Sequence, residues 1–150
     1  MGTNYYATVE DAELAIAADL LEERGMQRAS EIMRKASLTE RHIGKSSAGW
    51  CFSLHVYPED GINDLKDWLS ILETATIKDE YGQIISFGEM KKRIIERRWN
   101  RDGQEAFSAA FLDSNHANLG PNGLLRHRID GRHCISQGEG TWDCLIGEFS

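Results

Sequence analysis

Trp50, Phe52, Leu54 and Val56 alternate with Cys51, Ser53, His55 and Tyr57. That period of two is the mark of a strand with one face in a core. It predicts Trp50, Phe52, Leu54 and Val56 buried together, with Cys51, Ser53, His55 and Tyr57 on the other face. Pro58-Glu59-Asp60-Gly61 ends the strand as a turn. A strand must find partners for its backbone groups, so the rest of the chain has to supply a sheet.

The other segments read as helices and short strands in mixed order. Thr3 to Tyr6 is β-prone. Leu14, Ala17, Ala18 and Leu21 then fall on one helical stripe, and Met26, Ala29, Met33 and Ala36 on a second, with Gly25 between them. Residues 8–38 are therefore expected to be a helical hairpin inserted in the domain, with Thr8 as its N-cap. His42 to Gly49 reads as a loop by composition. Ile62, Leu65, Trp68, Leu69 and Leu72 share a helix face, opened at Gly61 or Asn63. Thr76–Lys78 and Gln83–Ile85 flank a four-residue connection and predict a hairpin. Ser86 followed by Glu89 is a capping box for a helix to about Arg98, with Met90 and Ile94 inward. Ala106 to Phe111 suits a short helix. Asp130-Gly131 between Leu124–Ile129 and Arg132–Ile135 predicts a second hairpin, and Thr141–Ile146 a last strand. No regular βαβ alternation runs through this list. The expectation is one α+β domain over residues 1–150. It has a mainly antiparallel sheet of about five to six strands, the N-terminal helical hairpin and two further helices.

Charge narrows the partners. Lys and Arg number 17 against 24 Asp and Glu, for a formal charge of -7 over 150 residues. That balance argues against general affinity for nucleic acid or a membrane surface, while leaving room for a local basic patch. The three cysteines, Cys51, Cys134 and Cys144, are widely spaced, which reads as free thiols in a reducing, cytoplasmic setting. No secretory signal is read at the start of the chain.

Chemistry concentrates in two places. His42-Ile43-Gly44-Lys45-Ser46-Ser47 lacks the glycine spacing and following helix of a P-loop. It still offers a lysine, two hydroxyls and free N–H groups for a phosphate or carboxylate. Across the Asp130-Gly131 hairpin, Arg128 would face His133 and His127 would face Cys134. Arg126, Arg128 and His133 would then share a basic face, with His127 pointing the other way. The expected ligand-binding set is His42, Lys45, Ser46, Ser47, Ser53, His55, Arg126, Arg128 and His133. Should the site be catalytic, His42, His55 and His133 would be its acid and base groups, with Lys45 on the oxyanion. No histidine spacing marks a metal site, so neither metal nor cofactor is expected.

GTNYY at Gly2, HIGKSSAGW at His42, DEYGQIIS at Asp79, GLLRHRID at Gly123, GEGTWD at Gly138 and the terminal GEFS resemble a family of small phage and prophage proteins. Some relatives carry a zinc-ribbon-like cysteine pair between the first strand and the HIGKSS segment. Here Ala7 to Glu40 holds no cysteine. The resemblance implies a viral accessory role in the host cytoplasm. The first expectation is a counter-defence binding protein that captures an anionic ligand such as a nucleotide, or inhibits a host protein. The alternatives are a small metal-independent phosphodiesterase or nuclease using histidines, and an acidic nucleic-acid-mimicking inhibitor.

Overall fold

A computed structural model describes residues 2–149. Met1, at the start of the predicted first strand, and Ser150, in the terminal GEFS string, lie outside the described residues. The chain is α+β with a mostly antiparallel sheet. β1 (Gly2–Glu10) leads to α1 (Ala12–Glu23) and α2 (Gln27–Ser37), then to β2 (Leu38–Ser47) and β3 (Phe52–His55). After α3 (Leu65–Leu72) come β4 (Thr76–Asp79), β5 (Ile84–Ile85) and α4 (Phe87–Ile95). The last part holds α5 (Ala109–Ser114), β6 (Ala117–Leu119), β7 (Leu125–His127), β8 (Cys134–Gln137) and β9 (Trp142–Leu145). Seven strands form one sheet in the order β5-β4-β1-β2-β3-β9-β8, and β6 with β7 forms a two-stranded sheet, so the strand count exceeds the sequence expectation. β3 and β9 pair in parallel. Among the described residues no helix is long and apolar enough to cross a membrane.

Local signals explain most boundaries. β1 runs two residues beyond Thr8, so the cap of α1 is Asp11, whose carboxylate accepts from the Leu14 N–H at 3.1 Å. α1 and α2 pack on each other, and the Ser30 hydroxyl donates to the Ala18 carbonyl at 2.8 Å inside that contact. Asp64 caps α3 through Asp67 N–H, and Ser86 caps α4 through Glu89 N–H. α4 ends at Ile95, three residues before the expected Arg98.

One sheet face is apolar. Tyr5, Ala7, Ile43, Phe52, Leu54, Ile77, Ile85 and Cys144 join Leu65, Trp68 and Leu72 of α3 and Met90 and Ile94 of α4 in a single buried cluster. Phe52 and Leu54 are 0% exposed and Val56 2%. Trp50 departs from the expected set and is only half-buried. The chain turns at Ala48-Gly49, and Arg97 donates to the carbonyls of Ser47 (2.8 Å) and Trp50 (3.0 Å), so Trp50 precedes the strand and leaves its alternation.

Two further expectations change. His42 to Ser47 is the end of a ten-residue strand, not a loop. Gly44 is what allows it to pair closely, because a Cβ there would lie 2.1 Å from the Ser53 carbonyl oxygen. The Asp130-Gly131 segment does not close a ladder: β7 pairs with β6, and β8 with β9. The Asp130 carboxylate accepts from the N–H groups of Arg132, His133 and Cys134, which makes a tight side-chain-capped turn between strands of different sheets.

Candidate functional site

Side chains that alternate with the core residues form the polar face. The register aligns Asn4 with Lys45, Lys45 with Ser53, Ser53 with Asp143, and Asp143 with Gln137, one cross-strand row over five strands. Beside it lie Tyr6 opposite His42 and His55 opposite Leu145. Cross-strand neighbours stand about 4.5–5.5 Å apart at Cβ, so these groups necessarily meet.

His42 and His55 touch. Their Nδ1 atoms are 3.0 Å apart, and His42 Nε2 is 2.8 Å from Asn4 Oδ1. Asn4 Oδ1 only accepts, so His42 carries its proton on Nε2 and its Nδ1 accepts from His55 Nδ1–H. The Tyr57 hydroxyl donates to the His42 carbonyl at 2.8 Å, with its oxygen 3.1 Å from His55 Nδ1. His55 Nε2 is left with a lone pair. Burial and the neighbouring His55 push His42 down to about 4, and burial lowers His55 as well, so both imidazoles are neutral at pH 7. The Phe149 ring covers the pair, with centroids 5.0 Å from His42 and 4.9 Å from His55.

Asp143 anchors the other end. It is 0% exposed, and its carboxylate accepts from Arg126 Nε at 3.0 Å, His127 N–H at 2.8 Å and His127 Nδ1 at 3.1 Å. That pins β7 over β9 and leaves the His127 Nε2 without a protein partner among the described residues. His127 also packs on Trp50, ring centroids 4.8 Å apart.

Between these ends is a cleft of about 330 Å³ lined by Lys45, Ser47, Trp50, Ser53, His127 and Phe149, with Ala48 and Leu145. Its volume lies at the lower end of the roughly 300–1,000 Å³ of small-molecule sites. Asp143 is already matched by Arg126, whereas Lys45 has no ion-pair partner among the described residues. The cleft thus presents one uncompensated ammonium, two hydroxyls, an imidazole nitrogen and two aromatic walls.

Of the sequence set, Lys45, Ser47 and Ser53 line the cleft, and His42 and His55 lie beside it in a hollow with Tyr6, Glu148 and Phe149. Ser46 points the opposite way, its hydroxyl 3.3 Å from the Tyr5 hydroxyl. Arg126 is no free cation: besides Asp143 it donates to the carbonyls of Gly140 (3.2 Å) and Trp142 (2.9 Å). Arg128 is held by the Ala117 carbonyl at 2.9 Å and Asp113 at 2.7 Å. His133 is exposed on the Asp130 turn and is not among the residues lining the cleft. The shared basic face of Arg126, Arg128 and His133 therefore does not form, because the ladder it required is absent. His127, placed on the opposite face by that register, lines the cleft instead. Asn4, Tyr57, Asp143 and Phe149 also escaped the sequence reading; only Tyr57 carried a signal, as the next same-face residue after His55.

Burial pushes the thiols of Cys51 to about 11 and Cys134 to about 12, and raises Cys144, so the three buried cysteines stay protonated. Among the described residues no three His, Cys, Asp or Glu side chains are grouped to hold a metal ion. The chain matches no protein-family model, and no curated protein or solved structure is significantly similar to it.

Proposed function

We propose that the protein is a binding protein for a nucleotide-class anion, acting as a phage accessory factor that withdraws such a ligand from a host defence system. The observation that carries this reading is the unpaired Lys45 in a cleft walled by Trp50 and Phe149. A base has a flat apolar face for the aromatic rings, and a phosphate has oxygens for the ammonium and for the Ser47 and Ser53 hydroxyls. In a partly dry cleft each charge-assisted bond contributes roughly 1.5–3 kcal/mol. Calorimetric titration with mononucleotides, linear dinucleotides and cyclic dinucleotides tests it, with the part of the tryptophan fluorescence lost in Trp50→Ala as a second readout. Binding of one class, weakened at least tenfold by Lys45→Ala and by Trp50→Ala, is the expected result. No binding by any member of the panel sinks it.

A second reading, metal-independent phosphodiester cleavage, is favoured by the Asp143–His127 contact. A carboxylate on Nδ1 fixes the tautomer and presents Nε2 as a base or acid. His42 and His55 cannot bracket a phosphorus between them, since they touch each other. His127 would be one proton-transfer group and His55 Nε2 the other. Mass spectrometry of nucleotides recovered after incubation separates the readings: intact ligand supports capture, and cleaved ligand that stays intact with His127→Ala supports catalysis.

A further inference from the structure

The basic charge of this acidic chain is unevenly placed. From Lys91 to Arg101 there are six basic residues, Lys91, Lys92, Arg93, Arg97, Arg98 and Arg101, and one acidic residue, Glu96. Some are structural: Arg93 donates to Glu89 and the Tyr5 hydroxyl, Arg97 to the Ser47 and Trp50 carbonyls, and Arg101 to the Glu105 carbonyl. Lys92 and Arg98 are exposed, with no ion-pair partner among the described residues.

This surface is continuous with the cleft. Ala48 lines the cleft and also a second hollow, of about 430 Å³, whose wall includes Lys92, Arg98 and Trp99, with the carboxylates Glu89, which is paired with Arg93, and Glu96. Arg98 and Trp99 in turn border a third hollow of about 500 Å³ with Asn100 and Arg101. A path from Lys45 therefore crosses the Ala48-Gly49 turn and meets unpaired cations and an aromatic ring that is 39% exposed at Trp99. Alternating cations and aromatics are how sequence-tolerant proteins hold an unpaired strand: phosphates meet the charges and bases stack on the rings.

We infer that the cleft takes one nucleotide of a single-stranded nucleic acid, whose backbone leaves over the Ala48-Gly49 turn and follows Lys92, Arg98 and Trp99. The inference rests on the proposed nucleotide cleft and names its ligand as a strand. A duplex does not fit, since its bases are paired and stacked away from a cleft this size. The net charge of -7 opposes any nucleic acid that does not follow the strip.

The test compares a labelled ten-nucleotide strand of mixed sequence, as RNA and as DNA, with the nucleoside monophosphates, on wild type, Lys45→Ala and the double variant Lys92→Glu/Arg98→Glu. Both reversed positions are exposed, and thermal melting checks that the variant is folded. The strand should bind at least tenfold tighter than any monophosphate. The double variant should remove that gain while leaving monophosphate affinity within twofold. The slope of log affinity against log salt should flatten by about 1.4, two phosphates at roughly 0.7 each. A strand that binds no tighter than a monophosphate overturns the inference and leaves the cleft reading standing, whereas loss of all binding removes both. Strand binding that ignores Lys45→Ala also overturns it, because the strip would then act without the cleft. Equal competition by polyglutamate at matched charge overturns it in favour of an acidic protein partner.

Discussion

The two faces of the seven-stranded sheet are made by alternate residues of the same strands, yet they are held by different physics. Beneath α3 and α4 the contacts are apolar, with Phe52, Leu54, Trp68 and Ile94 all 0% exposed. On the polar face Asn4 (6%), Ser53 (8%) and Asp143 (0%) are buried too. Among the described residues every buried side-chain polar atom there has a hydrogen-bond partner. An apolar face loses energy gradually as atoms are removed. A satisfied polar face fails abruptly, since one lost partner leaves another group buried and unpaired. The polar face is therefore specific where it is closed, at Asp143, and leaves polar atoms without partners among the described residues where it is open, at the Lys45 ammonium and the Nε2 atoms of His55 and His127.

That contrast orders the expected effects. Arg126→Ala should be the most damaging, about 3–5 kcal/mol, because it strands the Asp143 carboxylate in the interior. Leu54→Ala on the other face should cost about 2–5 kcal/mol through its cavity. Urea denaturation measures both. An unmoved midpoint for Arg126→Ala would show that water reaches Asp143, and the contrast between faces would dissolve. Lys45→Ala should change stability by less than about 0.5 kcal/mol, while weakening ligand binding at least tenfold by calorimetry. A large loss of stability there would mean that Lys45 supports the sheet instead of facing a ligand.

Acid should act on the polar face first. His42 titrates at about 4 in the folded chain, against 6.5 ordinarily, chiefly through burial. The unfolded chain therefore holds the extra proton between those values. The associated stability is fully present above about pH 6.5 and is lost as pH falls toward 4. His55 adds to this with the same sign. The surroundings of the pair are Asn4, Tyr6, Tyr57 and Phe149, with the charged groups Lys45, Glu59 and Glu148 nearby. Melting temperature followed from pH 7 to pH 4.5 should fall more steeply for wild type than for His42→Gln. Parallel profiles would show that the pair is hydrated and already free to charge.

The apolar face was legible in the sequence because burial writes itself as a period. Phe52, Leu54 and Val56, the α3 stripe and the Ser86–Glu89 cap all follow from local rules. The polar face was legible only as residue types. His42, Lys45, Ser53 and His55 stood out, but Gly44-Lys45-Ser46-Ser47 looked like a loop, since serine and glycine are poor strand formers and no apolar alternation marked them. What makes that segment a strand is its position between β1 and β3, which is tertiary. The error over His127 has a sharper cause. A two-residue Asp-Gly connection carries a strong hairpin signal, and the Asp130 turn does form. The strands on either side are claimed by other partners, β6 and β9, and no local signal encodes that competition.

The smallest expected effect is therefore also the most discriminating about register. In a ladder closed at Asp130-Gly131, His133 and Arg128 would face a common ligand and His127 would point away, so His133→Ala would weaken binding and His127→Ala would not. In the structure the backbone of His133 is engaged, its N–H donating to Asp130 at 2.8 Å and its carbonyl accepting from Ile146 N–H at 2.8 Å. The imidazole is exposed and has no hydrogen-bond partner among the described residues. Truncating an exposed side chain with a retained backbone changes stability by about 0.5 kcal/mol or less. His133→Ala should leave both the urea midpoint and nucleotide affinity unchanged within error. His127→Ala should weaken affinity, because it removes a wall of the cleft and the partner of Trp50. Matched titrations of the two alanine variants decide between the registers, and a loss from His133→Ala with none from His127→Ala would restore the closed ladder.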